Sequence, residues 1–224
     1  MTANPGLVPG PEGWWLAPEG AVVHVEERTA VIADVHLGYE WSRGHGGDMV
    51  PAHSLRETLS SLAMLLDRVT ISRLIVAGDL VESPLPCRRT AADLRALADW
   101  TTARGVEFLR VLGNHDSQHG RHAPLTIEVG GWTIAHGHRP IQASRTITGH
   151  DHPMLRVGRT SARCLLVGPS MIVLPAFTHN AAGLNVVQSP VPERWSGKAL
   201  RCWAGTGDRL LDFGMIDDLY SRLT

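Results

Sequence analysis

Short β-branched runs alternate with leucine-striped segments along the first half of the chain, and each apolar run breaks off into ionisable residues. Ala21-Val22-Val23-His24-Val25 and Thr29-Ala30-Val31-Ile32-Ala33, separated by Glu26-Glu27-Arg28, predict two strands joined by a turn. The second passes directly into Asp34-Val35-His36-Leu37-Gly38. Tyr39 to Val50 is polar and glycine-rich and reads as a loop. After Pro51, the residues Leu55, Leu59, Leu62, Leu66 and Val69 share one helical face, and Ser54 and Glu57 have capping-box spacing. Ser72 to Ala77 is another apolar strand and ends at Gly78-Asp79. A second helix is expected from about Thr90, as its cap, to Arg104, with Gly105 as the stop. The strand from Glu107 to Leu112 then delivers Gly113-Asn114-His115-Asp116.

Strands separated by helices predict a parallel βαβαβ first half, whose strand ends are the usual place for a site. The second half changes character. Short strands are expected at 125–129, 131–136, 154–158, 163–167, 171–174, 199–203 and 208–212, with a helix from Ile216 to Leu223. A mixed or antiparallel sheet packed against the first is the natural arrangement, and its loops carry His136-Gly137-His138 and Gly149-His150-Asp151-His152.

Composition adds bounds rather than a function. The 224 residues are 43% hydrophobic and 19% charged, which suits an ordinary globular chain and one domain over 1–224. A net charge of −1, from 21 Lys+Arg against 22 Asp+Glu, offers no overall field for a polyanion, so nucleic-acid binding would need a local patch. Cys87, Cys164 and Cys202 are odd in number and widely spaced, which argues against a disulfide framework or a thiolate zinc site and for a reducing, cytoplasmic setting. Met1 to Pro11 has no signal-peptide pattern, and no apolar run is long enough to span a membrane. The scattered tryptophans lack the interleaved Lys and Arg of a base-stacking groove and read as packing.

The chemistry lies in the polar segments. Asp34, His36, Asp79, Asn114, His136, His150 and His152 form a mixed nitrogen and oxygen set suited to divalent Mn, Fe, Ni, Co or Zn. Seven candidates are too many for one tetrahedral ion and fit two ions sharing a bridge, for which Asp79 is the natural choice. Glycines 78, 113, 137 and 149 flank these positions, where backbone must approach closely. Any one of these histidines alone would more often be a packed or exposed residue; their joint occurrence is what points to a metal centre.

Asp34-x-His36, Gly78-Asp79, Gly113-Asn114-His115-Asp116, His136 and Gly149-His150-x-His152 together resemble the motifs of the calcineurin-like metallophosphoesterase superfamily. Features around them are similar to the PdeM branch, described as ligase-associated DNA damage response endonucleases. These are His36-Leu37-Gly38, then Glu40, Arg43 and Gly47 before Val50-Pro51, the short interval from His136 to His150, and Pro153. The resemblance implies an α/β/β/α sandwich of two mixed sheets flanked by helices. It implies two divalent transition-metal ions, manganese foremost, one on Asp34, His36, Asp79 and His152 and the other on Asp79, Asn114, His136 and His150. It also implies attack on phosphorus by a hydroxide, with His115 as general acid and Asp116 orienting it.

Arg43 and Arg139 are candidates for gripping a phosphate oxygen, although arginines in polar loops are usually only solvated. His138 is expected to be second to His136 or merely exposed, and His45, His119 and His122 receive no role. The implied activity is phosphodiester hydrolysis, with DNA as a possible substrate in a repair setting and an ATP-dependent DNA ligase or helicase as a possible partner. The alternatives are a small-molecule phosphatase or cyclic-nucleotide phosphodiesterase, and a scaffold that keeps the fold without catalysis, as a retromer subunit of the superfamily does.

Overall fold

The protein is described by a computed structural model that covers residues 6–116, 122–188 and 191–223; His119 lies outside them. The elements run β1 (Val8–Pro9), β2 (Trp14–Ala17), β3 (Ala21–His24), β4 (Thr29–Ile32), α1 (Tyr39–His45), α2 (Ser54–Arg68), β5 (Arg73–Ala77), α3 (Arg88–Thr102) and β6 (Glu107–Val111). The second half holds β7 (Thr126–Val129), β8 (Trp132–Ala135), β9 (Thr146–Thr148), β10 (Pro153–Val157), β11 (Thr160–Val167), β12 (Met171–Val173) and β13 (Leu184–Asn185). A short 3-10 turn (Glu193–Trp195), β14 (Arg201–Thr206), β15 (Arg209–Met215) and α4 (Ile216–Leu223) complete it.

The first sheet has the order β1-β2-β3-β4-β5-β6, antiparallel through β4 and parallel across β4, β5 and β6. The expected parallel βαβαβ unit is therefore its second half, and a hairpin-rich edge extends it. The second sheet is also mixed: β9 pairs in parallel with β8 and β12, whereas β11 pairs antiparallel with β10, β12 and β14.

Strand alternation explains the layers. Ala30, Ile32, Leu74 and Val76 turn outward onto Leu62 and Leu65 of α2 and Leu97 of α3. Val31, Ala33, Ile75 and Ala77 turn inward onto Trp132, Ile134, Ile147, Leu165 and Ile172 of the second sheet. That sheet's far face, with Cys164, Leu166 and Cys202, is covered by Trp195, Ile216 and Leu219. The result is the expected α/β/β/α sandwich, with four layers and two mixed sheets. Each fully buried aliphatic side chain contributes about 1.5–3 kcal/mol to holding the sheets face to face.

Three local expectations change. Tyr39 to His45 is a helix, not a loop: Gly38, at φ 81°, turns the chain into it, and Trp41 Nε1 donates to Asp93 of α3 at 2.7 Å. In α2 the cap position is His53, and Ser54 is already helical, so no capping box forms. In α3 the cap is Cys87 rather than Thr90, and Thr90 is buried inside the first turn. Among the described residues, no helix is long and apolar enough to cross a membrane.

Candidate metal centre

The parallel strands β4, β5 and β6 end side by side and set down Asp34, Asp79 and Asn114 in adjacent loops. Backbone bonds continue past the strand ends: the N–H of Asp34 donates to Gly78 O at 3.1 Å, and that of His36 to Asp79 O at 3.0 Å. From the facing sheet, β8 ends at His136, and the turn between β9 and β10 carries His150 and His152. Phe177 N–H donates to Ala33 O at 2.8 Å, which ties the end of β4 to the second sheet's side of the sandwich.

The backbone here is unusual. Five of the seven non-glycine residues with positive φ among those described are Asp34, His36, Asp79, His150 and His152, with φ between 46° and 71°. Each such conformation costs an L-residue roughly 1–3 kcal/mol and persists where the surroundings fix it for a purpose. Close approach is equally strict. A Cβ on Gly113 would overlap the backbone and carboxylate of Asp79, and one on Gly149 would overlap the Asp34 carboxylate and Ala33.

Three groups of potential ligand atoms result, each with atoms within 4.8 Å of one another: Asp34, His36 and His152 in one, Asp79, His136 and His150 in a second, and His36, Glu82 and His115 in a third at the rim. Asn114 Oδ1 joins the second, 3.0 Å from His136 Nε2. The groups adjoin. Asp34 Oδ1 is 3.4 Å from His152 Nε2 and 3.6 Å from His136 Nδ1, while Asp79 Oδ2 is 3.2 Å from His136 Nε2 and 4.0 Å from His115 Nε2. The remaining oxygens are held by backbone, Asp79 Oδ1 by His115 N–H and Asp34 Oδ2 by His150 N–H, each at 2.8 Å.

These residues fit divalent ions for three reasons. First, the histidines are oriented from behind. Nδ1 of His136 lies 3.0 Å from Ala77 O, that of His152 lies 3.2 Å from Ala182 O, and that of His36 lies 2.8 Å from the Glu82 carboxylate. The His136 and His152 rings then keep a proton on Nδ1 and turn the lone pair of Nε2 inward, as a metal-bound histidine does, while His36 is held by its ion-pair contact with Glu82. Second, Asp34 Oδ1, His36 Nε2 and His152 Nε2 are buried without a hydrogen-bond partner. Orphaned buried polar atoms are costly, and three converging ones ask for a cation. Third, with Nδ1–H directed at Ala77, the lone pair of His136 Nε2 faces the oxygens of Asp79 and Asn114. Acceptor against acceptor is repulsive unless a proton or a metal ion stands between them.

Electrostatics agree. Burial alone would raise the Asp79 carboxyl, but His136 and His115 outweigh it and bring the group down to about 2. Burial and the neighbouring His136 push His150 down to about 4, which leaves it neutral and able to ligate at ordinary pH. Burial works against protonation of His136 and His152 as well, yet contacts with Asp79 and Asp34 respectively raise both.

His115 stands at the rim. Its ring packs edge-on against His36 with centroids 5.2 Å apart, and its Nδ1 lies 2.5 Å from the carbonyl oxygen of Glu82, which leaves Nε2 facing the cluster. Asp116 was expected to orient this ring, and it does not touch it. Its fully buried carboxylate accepts from Gly113 N–H at 3.0 Å and Val81 N–H at 3.2 Å, so it braces the turn that carries Asn114 and His115. Burial raises the Asp116 carboxyl.

The residue that orients His115 is Glu82, which the sequence reading missed. Nothing local marks it; only the fold brings its carboxylate to His36 and its carbonyl to His115. Asp151 was likewise passed over: it is buried, and both its oxygens are gripped by Arg194 of the 3-10 turn, which anchors the segment between His150 and His152.

Among the candidate substrate contacts, Arg43 is paired with Asp48 at 2.6 Å on the exposed end of α1. Arg139 is exposed beside His138, on the rim of a cleft next to the cluster. The ring of His138 is half-buried, 5.1 Å from His136 and 6.2 Å from His150.

Two face-to-face mixed sheets, helices outside them and a His/Asp/Asn cluster on the loops where their strands end define a metallophosphoesterase-like sandwich. One solved structure that shares it is Pseudomonas putida nuclease MPE, with a TM-score of 0.71 and 21% sequence identity over 93% of this chain and 100% of that one. No family model matches the chain, and no curated protein matches it.

Proposed function

We propose that this chain is a metal-dependent phosphoesterase that hydrolyses phosphodiester bonds and uses two divalent transition ions, with manganese the first to test. The observation that supports this most is the pair of adjoining ligand groups in which His136 and His152 are oriented by bonds at Nδ1, while Asp34 Oδ1, His36 Nε2 and His152 Nε2 are buried without a partner. Asp34, His36 and His152 would hold one ion; Asn114, His136 and His150 would hold the other, and Asp79 would serve both. Such a pair supplies Lewis acidity toward a phosphate and a nucleophile near neutral pH.

The chain's own residues supply the rest. His115 keeps one proton on Nδ1 against the Glu82 carbonyl, so Nε2 is the atom that presents a proton to a leaving oxygen. When protonated, the same ring places positive charge beside the developing negative charge. Glu82 and Asp116 act through position, one on the ring and one on the turn that carries it. The fold shared with a nuclease supports nucleic acid as the polymer substrate.

The test is metal content of protein purified without added metal, together with hydrolysis of bis-p-nitrophenyl phosphate and p-nitrophenyl phosphate with and without Mn²⁺. About two ions per chain and Mn-stimulated cleavage favouring the diester are expected. A preference for the monoester would favour the small-molecule phosphatase, and no metal with no activity would favour the scaffold. Co-purification with an ATP-dependent DNA ligase or helicase tests the partner that the motif resemblance implied.

A further inference from the structure

A cleft of about 480 Å³ opens beside His138, two residues from His136, and is lined as far as Ser170, Met171 and Lys198. Its floor is the second sheet, where Thr148 ends β9, a strand paired with β12. The segment His138 to Ile141 lines it, as do Glu193, Arg194 and Lys198 from a segment distant in sequence. Arg194 is committed to Asp151. The two exposed cations that line it, Arg139 and Lys198, have no side-chain hydrogen bond or ion pair among the described residues. Glu193 is the one carboxylate among the described lining residues.

We infer that this cleft is a subsite for a nucleic-acid strand, with Arg139 and Lys198 contacting phosphates that flank the one held at the metal cluster. The inference rests on the phosphodiesterase reading and adds to it where the polymer lies. The molecule as a whole carries a net charge of −1, so a polyanion gains nothing from its overall field. Attraction has to come from local cations that are free to pair, and this cleft, lined also by Gly137 and His138 next to the candidate ligand His136, holds two of them. Flexible basic side chains on an exposed rim suit a backbone contact without base selectivity. Glu193 on the same rim opposes it and keeps the affinity moderate.

The test compares metal-loaded wild type with K198E, R139A and E193Q. The readouts are anisotropy of a fluorescein-labelled single-stranded oligodeoxynucleotide at about 50 and about 200 mM salt, and kcat/KM for that oligonucleotide relative to bis-p-nitrophenyl phosphate. The small diester has no flanking phosphates, so the ratio isolates the cleft. K198E and R139A are expected to lower the ratio about tenfold and to reduce the salt slope of binding by roughly 0.7 per lost contact. E193Q is expected to move affinity the opposite way, by about threefold, which misfolding would not do. If all three variants keep the wild-type ratio and salt slope while the small diester is cleaved, the subsite is wrong and the phosphodiesterase reading stands. If the wild type binds metal but cleaves neither diester, the reading itself falls, and the subsite with it.

Discussion

Glu82 Oε2 lies 2.8 Å from Nδ1 of His36, and the carboxylate is mostly shielded from water, so the ring is locked with Nε2 directed into the cluster. The same residue's carbonyl receives the proton of His115. Glu82 thus couples one candidate metal ligand to the candidate general acid through a single residue. Glu82→Gln keeps the shape and weakens the bond to His36; Glu82→Ala removes it. Metal affinity is expected to fall about tenfold for Gln and toward a hundredfold for Ala, as for other carboxylates that back a ligating histidine. Competition with a chromophoric chelator measures this, and wild-type affinity in both variants would remove Glu82 from the centre.

His115 makes a different prediction because its ring is not needed to hold metal. His115→Ala is expected to retain both ions while kcat falls about 10²–10⁴-fold on a diester with a poor leaving group. A p-nitrophenolate leaves without a proton, so the loss on that ester should be much smaller. Rates on alkyl and nitrophenyl esters of the same phosphate check this, and equal losses would assign His115 to binding or structure.

Much of this site can be read from the sequence because the candidate ligands lie at strand ends. An apolar run that stops abruptly at Asp34, Asp79 or Asn114 is a local signal, and His-x-His at 150 and 152 is another. Of the hairpin edge, β1 and β2 were not legible, since Trp14 to Ala17 is short and hemmed in by Gly and Pro, and in the second sheet β9 escaped because it has only three residues. Helix α1 escaped because it has seven residues and its stabilising contact, Trp41 to Asp93, spans 52 positions. Glu82 and Asp151 escaped for the same reason. Their roles are defined by long-range partners, which no periodicity records.

Asp151 and Arg194 form an ion pair in which only the carboxylate is deeply buried. Arg194→Ala leaves that carboxylate unpaired and is expected to destabilise the protein by about 2 kcal/mol in urea unfolding. Asp151→Asn in the Arg194→Ala background should recover part of the loss, since the neutral amide no longer needs the guanidinium. Strictly additive effects would mean that the pair does not anchor the His150–His152 turn.

Close approach at Gly149 gives a steric prediction. Its φ is not in the left-handed region, so alanine there is forbidden only by space, where the new methyl meets the Asp34 carboxylate and Ala33. Gly149→Ala should displace Asp34 and reduce bound metal from about two ions to one or none, while secondary structure by circular dichroism is retained. Full occupancy in this variant would show that Asp34 is not held where the ligand set requires it.

Removal of metal links stability to pH with a definite sign. In the metal-free protein, burial disfavours the charged forms of His136 and His152, but Asp79 and Asp34 overcome it and raise both groups above their ordinary value of 6.5. A raised folded-state value means that their contribution to stability is complete below the unfolded value and is lost as pH climbs through the folded one. The metal-free melting temperature should therefore fall from about pH 6 to about pH 8. Metal binding requires both rings deprotonated, so protons compete with the ion and its affinity rises over the same window. His150, already held down near 4, adds no competing proton. The gap in melting temperature between Mn-loaded and metal-free protein is thus expected to widen with pH. Calorimetric titration in buffers of different ionisation enthalpy should register one to two protons released at about pH 6.5. A gap that narrows with pH, together with no proton release, would mean that His136 and His152 do not ligate the metal.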